Sequence, residues 1–321
     1  MPSDASKPIK LSFVVPILNE VESLETLVNS IEANIPADSE DSYEIILVDD
    51  GSDDNSWEEI IRIHDVYENR IQGLRFRRNF GKAAALQAGF DIAKGDIVFT
   101  LDADLQDDPT EIPNFIQKLE EGYDIVSGWK QSRQDPASKT LPSKLFNFVT
   151  RAISGVPLHD FNCGFKAYRL QAVKSIKLYG ELHRYIPIIA NELGFRIGEL
   201  PVEHYPRVHG VSKYGWGRFF SGFLDLITVI ATTRYLKRPA HLFGGLGLFI
   251  GIAGIAILGY LSFLWFTGEP IGNRPLFFLG ILNLILSMNL ISLGILAEII
   301  TRKNNTDDQA GWIAERLDTL E

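Results

Sequence analysis

Asp102-Ala103-Asp104 stands at the end of a short apolar run, Asp96 to Leu101. Alternate residues of an extended chain point the same way, so both carboxylates can face one ligand. Two hard oxygen donors at a strand end suit Mg2+ or Mn2+ bridging to a diphosphate, and Gln106 offers a third oxygen. Such an ion would neutralise the charge that builds on a diphosphate leaving group. A second acidic string, Asp49-Asp50-Gly51-Ser52-Asp53-Asp54, follows the run Glu44 to Val48. Its carboxylates can accept hydrogen bonds from the N–H edge of a base such as uracil or guanine, and its glycine allows close approach. The same residues also make an ordinary polar turn that caps the next helix.

Basic residues accompany the acidic ones. Arg77, Arg78 and Lys82 flank Asn79-Phe80-Gly81. Lys130, Arg133, Lys139, Ser143 and Lys144 lie in a polar stretch without strong periodicity, which reads as a long loop. Such groups clamp phosphates, or simply solvate a loop. Asp160, in Asp160-Phe161-Asn162-Cys163-Gly164-Phe165-Lys166, is a carboxylate in an apolar, glycine-bearing turn. It positions an acceptor, takes a proton, or caps a helix. Arg207 to Tyr214 is a basic Gly/Ser loop just before an apolar region, suited to lipid phosphate, to closure over a ligand, or to general attraction to headgroups. His64, His183, His204 and His209 lack metal-ligand spacing, which argues against zinc.

The elements that must position these groups alternate. Leu11 to Val15, Glu44 to Val48, Gly73 to Arg77, Asp96 to Leu101 and Asp124 to Gly128 read as strands. Between them lie helical patterns ending near Ile31 and covering Trp57 to Tyr67, Lys82 to Ala93 and Glu111 to Glu120. That alternation predicts a mainly parallel α/β sheet of Rossmann-like type. Ligands of such sheets lie beyond the carboxyl ends of the strands, where both acidic strings fall.

The formal charge of −10 belongs entirely to residues 1–213, with 23 basic and 33 acidic side chains, because residues 214–321 carry eight of each. An acidic balance of this kind argues against nonspecific nucleic-acid binding. The single Cys163 excludes an internal disulfide and suits a reducing compartment. Met1 to Lys10 is short and polar, with no secretion signal.

Leu242 to Phe266 and Leu276 to Ile300 are apolar runs of about 25 residues, enough to span a bilayer. A buried core helix is the alternative for each. Arg234, Lys237 and Arg238 precede the first run, and Arg302 and Lys303 follow the second. Positive flanks favour the cytoplasm, so both ends of the hairpin are expected there. Residues 214–240 are expected to form amphipathic helices at the interface, with a core helix as the competing reading, and 301–321 a short acidic cytosolic tail.

Six strings together resemble the inverting glycosyltransferases of family 2 with the A-type nucleotide-sugar fold. They are Val14 to Glu20, Val48 to Asp54, Arg78 to Lys82, Leu101 to Pro109, Asp160 to Arg169, and Gly210 to Tyr214. Within that family the chain is similar to the polyprenyl-phosphate glycosyltransferases, including dolichol-phosphate mannose synthases and bactoprenol glucosyltransferases. The resemblance implies a catalytic domain over residues 1–213, followed by the two membrane helices. It implies that Pro16, Asn19, Glu20 and Asp50 line the base and ribose pocket, that Lys82 serves the nucleotide, and that Asp102, Asp104 and Gln106 lie at the metal and diphosphate. Lys130, Arg133, Lys139 and Ser143 would hold donor or acceptor phosphates, Asp160 would face the acceptor, and Arg207, Ser212 and Lys213 would close the site. Lys130 and Lys139 depart from the arginines common in relatives, offering a point charge in place of a bidentate fork.

The implied reaction is transfer of a hexose, with glucose from UDP-glucose the expected donor, to undecaprenyl phosphate in a bacterial inner membrane. The same frame accommodates GDP-mannose or a UDP-amino sugar, and it leaves a homo-oligomer open. A processive polysaccharide synthase is disfavoured, since the chain lacks a Q-x-x-R-W signature and has too few spans for a channel. A flippase would need more than one hairpin to enclose a headgroup path. A catalytically dead nucleotide-sugar sensor or scaffold is the reading from another class, and the complete acidic set argues against it.

Overall fold

The computed structural model describes residues 9–67, 70–131, 137–178, 180, 182–203, 205, 239–272 and 274–304. The chain divides into two compact units, Met1–Ile227 and Thr228–Glu321.

The first unit is built on a seven-stranded sheet in the order β3-β2-β1-β4-β6-β5-β7. Its strands are β1 (Leu11–Ile17), β2 (Tyr43–Asp49), β3 (Ile71–Arg75), β4 (Ile97–Thr100), β5 (Ile125–Lys130), β6 (Lys166–Arg169) and β7 (Ile197–Val202). Strands β3, β2, β1 and β4 run parallel. β1, β2 and β4 are apolar for most of their length because they are buried within the sheet, whereas β3 at its edge carries Gln72, Gly73 and Arg75 and is only partly buried. The expected parallel sheet is therefore present, with one interruption: β6 runs antiparallel between β4 and β5.

Helices α1 (Leu24–Ala33), α2 (Ser56–Val66), α3 (Lys82–Ile92) and α4 (Ile112–Glu120) make the crossovers. Helix α1 buries Leu24, Leu27, Val28 and Ile31, the spacing of one helical face. Aromatic rings fill the space between β1, β4, α4 and the turn before β6. Phe13 stacks on Phe99 at 5.1 Å, Phe99 meets Phe115 edge-on, and Phe115 lies 4.4 Å from Phe165.

Two local expectations are corrected. The first strand, read as ending at Val15, continues through Pro16, paired with Val48, to Ile17; near a strand end the missing N–H of Pro16 removes only one ladder bond. The polar stretch read as a long loop contains helix α5 (Ala137–Ser154), with Pro142 within its early turns. Serines, lysines and that proline hide the helix. Its sequence nevertheless places Leu141, Leu145 and Val149 at four-residue spacing. Helices α6 (Leu170–Ser175) and α7 (Ile186–Glu192) complete the unit, with a 3-10 turn over Leu182–Tyr185 before α7.

The second unit contains α8 (Pro239–Phe266) and α9 (Pro275–Asn304), which pack antiparallel. Glycines on α8 bring the backbones together: a Cβ on Gly247 would lie 3.0 Å from the Ser287 carbonyl oxygen, and one on Gly254 3.1 Å from that of Gly280. Glu298 accepts a hydrogen bond from the Ala240 N–H at 3.4 Å, placing the one acidic residue of the second apolar run at the start of α8. Much of the remaining surface is large and apolar, with Phe249, Phe266 and Met288 each more than 70% exposed. The amphipathic segment expected over 214–240 falls almost wholly outside the described residues, as does the tail beyond Asn304.

Candidate active site

The strand order reverses at β1, which has β2 on one side and β4 on the other. Such a switch point opens a crevice at the carboxyl edge of the sheet. Asp50 follows β2 there and Asp102 follows β4.

The β1–α1 and β2–α2 loops are tied together. The Asn19 N–H donates to Ser52 Oγ at 3.0 Å, and Asn19 Oδ1 accepts from the Asp53 N–H at 2.9 Å. The Glu20 N–H donates to Ser56 Oγ at 3.0 Å. Asn19 adopts φ 54, a left-handed conformation that asparagine tolerates better than most residues. Pro16, Asn19 and Glu20 are each partly exposed.

Asp50, expected at the base and ribose pocket, has protein partners of its own. It is buried, and its two oxygens accept the N–H groups of Phe80 at 2.7 Å and Gly81 at 2.9 Å. Its first task is to fix the turn that carries Arg78 and Lys82. Burial pushes its carboxyl above the usual range and the neighbouring Asp49 adds to this, while the two N–H groups oppose it. Gly51 is obligatory beside it: at φ 73 its Cα approaches the Arg78 backbone so closely that a Cβ would meet Arg78 C at 2.4 Å.

On the other side of β1, Lys82 at the start of α3 donates from Nζ to Asp102 Oδ1. Burial works to raise the Asp102 carboxyl, but the charge and hydrogen bond of Lys82, with Lys130 and His183 further off, hold it at about 2. Asp102 is thus an anion at any working pH. The chain beyond it turns and does not stay extended: Leu105 has φ 57, and Asp104 Oδ1 accepts the Gln106 N–H at 3.3 Å. The alternation expected to aim Asp102 and Asp104 together is therefore absent. Gln106 pairs with Tyr205, donating from Nε2 to its carbonyl at 3.3 Å and accepting its N–H at 3.0 Å. Among the described residues no three His, Cys, Asp or Glu side chains converge as a metal-binding cluster.

Lys130, expected to hold phosphate, ends β5 with Nζ 2.9 Å from Asp107 Oδ1. Burial lowers the pKa of this ammonium, yet the Asp107 carboxylate holds it above the ordinary range. Asp160 is buried, and its Oδ1 accepts the Asn162 N–H at 2.9 Å. Glu199 on β7 carries that loop, accepting the N–H groups of His159 at 2.7 Å and Asp160 at 3.0 Å. Its other oxygen lies 2.7 Å from His159 Nδ1, and the imidazole stacks on Trp129 at 4.2 Å. Lys139 and Ser143 fall within α5. Arg133, Arg207, Ser212 and Lys213 lie outside the described residues.

Three residues to which sequence reasoning assigned no role meet here. Lys166 on β6, with His183 and Arg184 in the 3-10 turn before α7, lines a narrow cavity that Lys82, Asn162 and Gly164 also wall. His183 Nδ1 is inside the protein, and burial, reinforced by Lys82 and Arg184, lowers its pKa well below 6.5, so the imidazole is neutral at pH 7. Lys166 donates to the Cys163 carbonyl. The available signal was slight: a His-Arg pair between apolar residues, and a lysine opening a short strand.

With this geometry in place, the similarities to known proteins become informative. The sequence profile of "Glycosyl transferase family 2" matches residues 12–177. Dodecaprenyl-phosphate galacturonate synthase of Rhizobium johnstonii is 41% identical over 311 residues, covering 95% of this chain and 92% of that protein. Undecaprenyl-phosphate 4-deoxy-4-formamido-L-arabinose transferase of Aeromonas hydrophila is 37% identical, covering 92% of this chain and 89% of its own. Among solved structures, glucosyl-3-phosphoglycerate synthase from Mycobacterium tuberculosis, in complex with Mn2+ and UDP-glucose, superposes with a TM-score of 0.52 at 19% identity over 70% of this chain and 79% of its own. A profile that spans the whole β1-to-α6 framework, and relatives aligned over more than nine-tenths of the chain, agree with the switch-point crevice: the chain belongs to glycosyl transferase family 2 and has the A-type nucleotide-diphospho-sugar fold.

Proposed function

We propose that this glycosyltransferase moves a sugar from a nucleotide diphosphate onto the phosphate of a polyprenyl lipid, in one displacement that inverts the anomeric carbon. The observation that carries the reading is the placement of Asp50 and Asp102 on either side of β1. They mark the crevice in a chain whose second unit is two bilayer-length apolar helices. Both curated relatives are named for a polyprenyl phosphate, and they resemble this chain over nearly its whole length.

Asp102, with Asp104 and Gln106, would hold a Mg2+ or Mn2+ ion. The donor set fits: carboxylate and amide oxygens are hard ligands, and Asp102 already receives a cation, the Lys82 ammonium. The described protein ligands are too few to enclose an ion alone, so oxygens of the donor diphosphate would complete the set. The ion supplies charge neutralisation at the departing nucleotide. Pro16, Asn19, Glu20 and Asp50 form the base and ribose side, and Arg133, Lys139, Ser143, Arg207, Ser212 and Lys213 attract the phosphates. Asp160 orients the acceptor. A phosphate monoester has its second pKa near about 6, so the acceptor is already ionised at pH 7 and needs no strong base.

Residues 1–213 form the catalytic domain in this reading, and Phe243–Phe266 and Pro275–Ile300 the membrane hairpin. Exposed aromatic and aliphatic side chains along both helices are stabilised by hydrocarbon and not by water. Basic flanks support a catalytic domain on the cytosolic side, in this reading that of a bacterial inner membrane. The donor expected from the sequence is UDP-glucose, whereas the curated relatives carry other sugars in their names.

Full-length protein in detergent or nanodiscs, given undecaprenyl phosphate and a panel of nucleotide sugars, tests the reaction. One donor should yield a chelator-sensitive lipid-phosphate sugar of inverted anomeric configuration. Absence of lipid product with every donor, or turnover indifferent to EDTA and to Asp104→Ala, would overturn the catalytic or the metal part respectively.

A further inference from the structure

Asp102 and Asp107 belong to one acidic string, and each meets a lysine from elsewhere in the chain, but the two pairs are built differently. The side chains of Lys130 and Asp107 are 11% and 1% exposed. Neither charge of that pair can part from the other without standing uncompensated inside the protein. The side chains of Lys82 and Asp102 are 27% and 32% exposed. A pair with that much access to water is held by little net energy, because each partner can be solvated instead. Lys82 can therefore release Asp102, and its flexible stem can carry the ammonium elsewhere. The base of the stem stays fixed, since Asp50 accepts the N–H groups of Phe80 and Gly81 just before it.

The Asp102 carboxylate is crowded at both oxygens. Lys82 donates to Oδ1, and the Gly164 backbone stands so near Oδ2 that a Cβ on the glycine would lie 2.5 Å away. A divalent ion bound through Oδ1 would share that oxygen with the ammonium, and two cations at such range repel strongly. Lys82 must therefore move before Asp102 can serve a metal. A nucleotide diphosphate gives it a new partner. Lys82 opens helix α3, so an anion that draws the ammonium also meets the positive end of that helix.

We infer that Lys82 is a placeholder cation: it holds Asp102 until the donor diphosphate draws its ammonium away, and so makes metal binding depend on the nucleotide. The inference rests on the proposed metal-assisted transfer and adds to it a coupling carried by one side chain. The diphosphate would ligate the ion directly in that reading, which couples the two with or without Lys82. Lys82 contributes a further share. Parting it from Asp102 burdens whichever ligand binds first, and does so only once, so each ligand tightens the other.

Manganese binding to the full-length protein in detergent, followed by loss of the free-ion electron paramagnetic resonance signal, reads this without turnover. The wild-type protein should bind Mn2+ weakly alone and about 100-fold more tightly with saturating UDP. Lys82→Met should bind Mn2+ alone roughly 10-fold more tightly than wild type, and the gain on adding UDP should shrink to about 10-fold. Lys82→Gln should behave as the methionine does, so a folding failure of one variant leaves the test intact. Lys82→Arg, which keeps a charge at that place, should keep most of the wild-type gain. Tighter Mn2+ binding with an unchanged gain overturns the inference, since Lys82 then only repels the ion and does not exchange partners. Mn2+ affinity that UDP raises but that is indifferent to Lys82 also overturns it, and leaves the metal-assisted reading standing. No Mn2+ bound by any form, even with UDP, removes both.

Discussion

The backbone of Gly164 lies directly against the carboxylate of Asp102: a Cβ on the glycine would stand 2.5 Å from Oδ2 and 2.7 Å from Cγ. Thr100 fixes this approach from the end of β4, its Oγ1 donating to the Gly164 carbonyl at 2.8 Å. Antiparallel β6 enters the sheet beside β4, so the turn before it is brought onto the Asp102 carboxylate.

Gly164→Ala should therefore displace Asp102, because the clash is with a carboxylate held by Lys82 and not with the end of a mobile chain. Sugar transfer should fall by about 100-fold, the scale set by misplacing a positioned group. Stability should fall by only about 1–3 kcal/mol, as for a single overpacked site. Wild-type kcat/KM together with a lowered melting temperature would separate the glycine from the chemistry.

Asp50 gives a pH dependence. Its carboxyl is raised by burial, then raised again by Asp49, against the pull of the Phe80 and Gly81 N–H groups. A raised carboxyl takes up its proton more readily in the folded protein, so ionising Asp50 subtracts stability as pH climbs from 3.8 through the raised value. The ionised form is nevertheless the one that accepts two N–H groups and holds the turn leading to Lys82. Nucleotide affinity should weaken on acidification at a pH above the ordinary aspartate range. Asp50→Asn should show weakened, pH-flat affinity; an acid limb that survives in this variant would assign the titration to another group.

The fold was legible where one physical pattern acted alone. Runs such as Ile45 to Val48 are apolar on both faces because they are buried on both faces, and the acidic strings sit where such runs stop. The apolar helices were read to within a few residues because length and absence of charge suffice. Helix α5 was missed because its first turns carry lysines, serines and Pro142, so tertiary contacts such as Phe146 against Tyr185 at 6.0 Å decide its conformation. The site was half legible. Asp50 and Asp102 announce themselves by spacing, but their partners Phe80, Gly164 and Lys82 come from elsewhere in the chain. Nothing in the local sequence shows that the Lys130 ammonium faces Asp107, or that Lys166 and Arg184 share a wall.

Glu199 is one such distant partner, and its carboxylate holds the Asp160 loop through two backbone N–H groups and the His159 ring. Glu199→Ala leaves those donors unanswered, at a cost of about 1–3 kcal/mol. Turnover should drop by roughly 10-fold as the loop proposed to face the acceptor loosens, with nucleotide affinity intact because the proposed base pocket is built on β1 and β2. Asp160→Asn should show the same split between kcat and binding. Isothermal titration with the nucleotide alongside turnover reads both; a parallel loss of affinity would mean that β7 supports the donor pocket instead.

The hairpin offers a prediction independent of the chemistry. Gly247 on α8 faces the Ser287 carbonyl of α9, and the Ile291 N lies 3.3 Å from where its Cβ would be. Backbone atoms cannot rotate away, so Gly247→Ile must push the helices apart, in a setting where association depends on close packing of small residues. The added side chain leaves the apolar length unchanged, and insertion should be unaffected. The protein should still fractionate with membranes at wild-type abundance, while its melting temperature in mild detergent falls by several degrees, corresponding to about 1–3 kcal/mol. A variant lost from the membrane fraction would mean that packing of the pair, and not hydrophobic length, is what retains it. An unchanged melting temperature would mean that α8 and α9 are held together by something other than their glycine-lined contact.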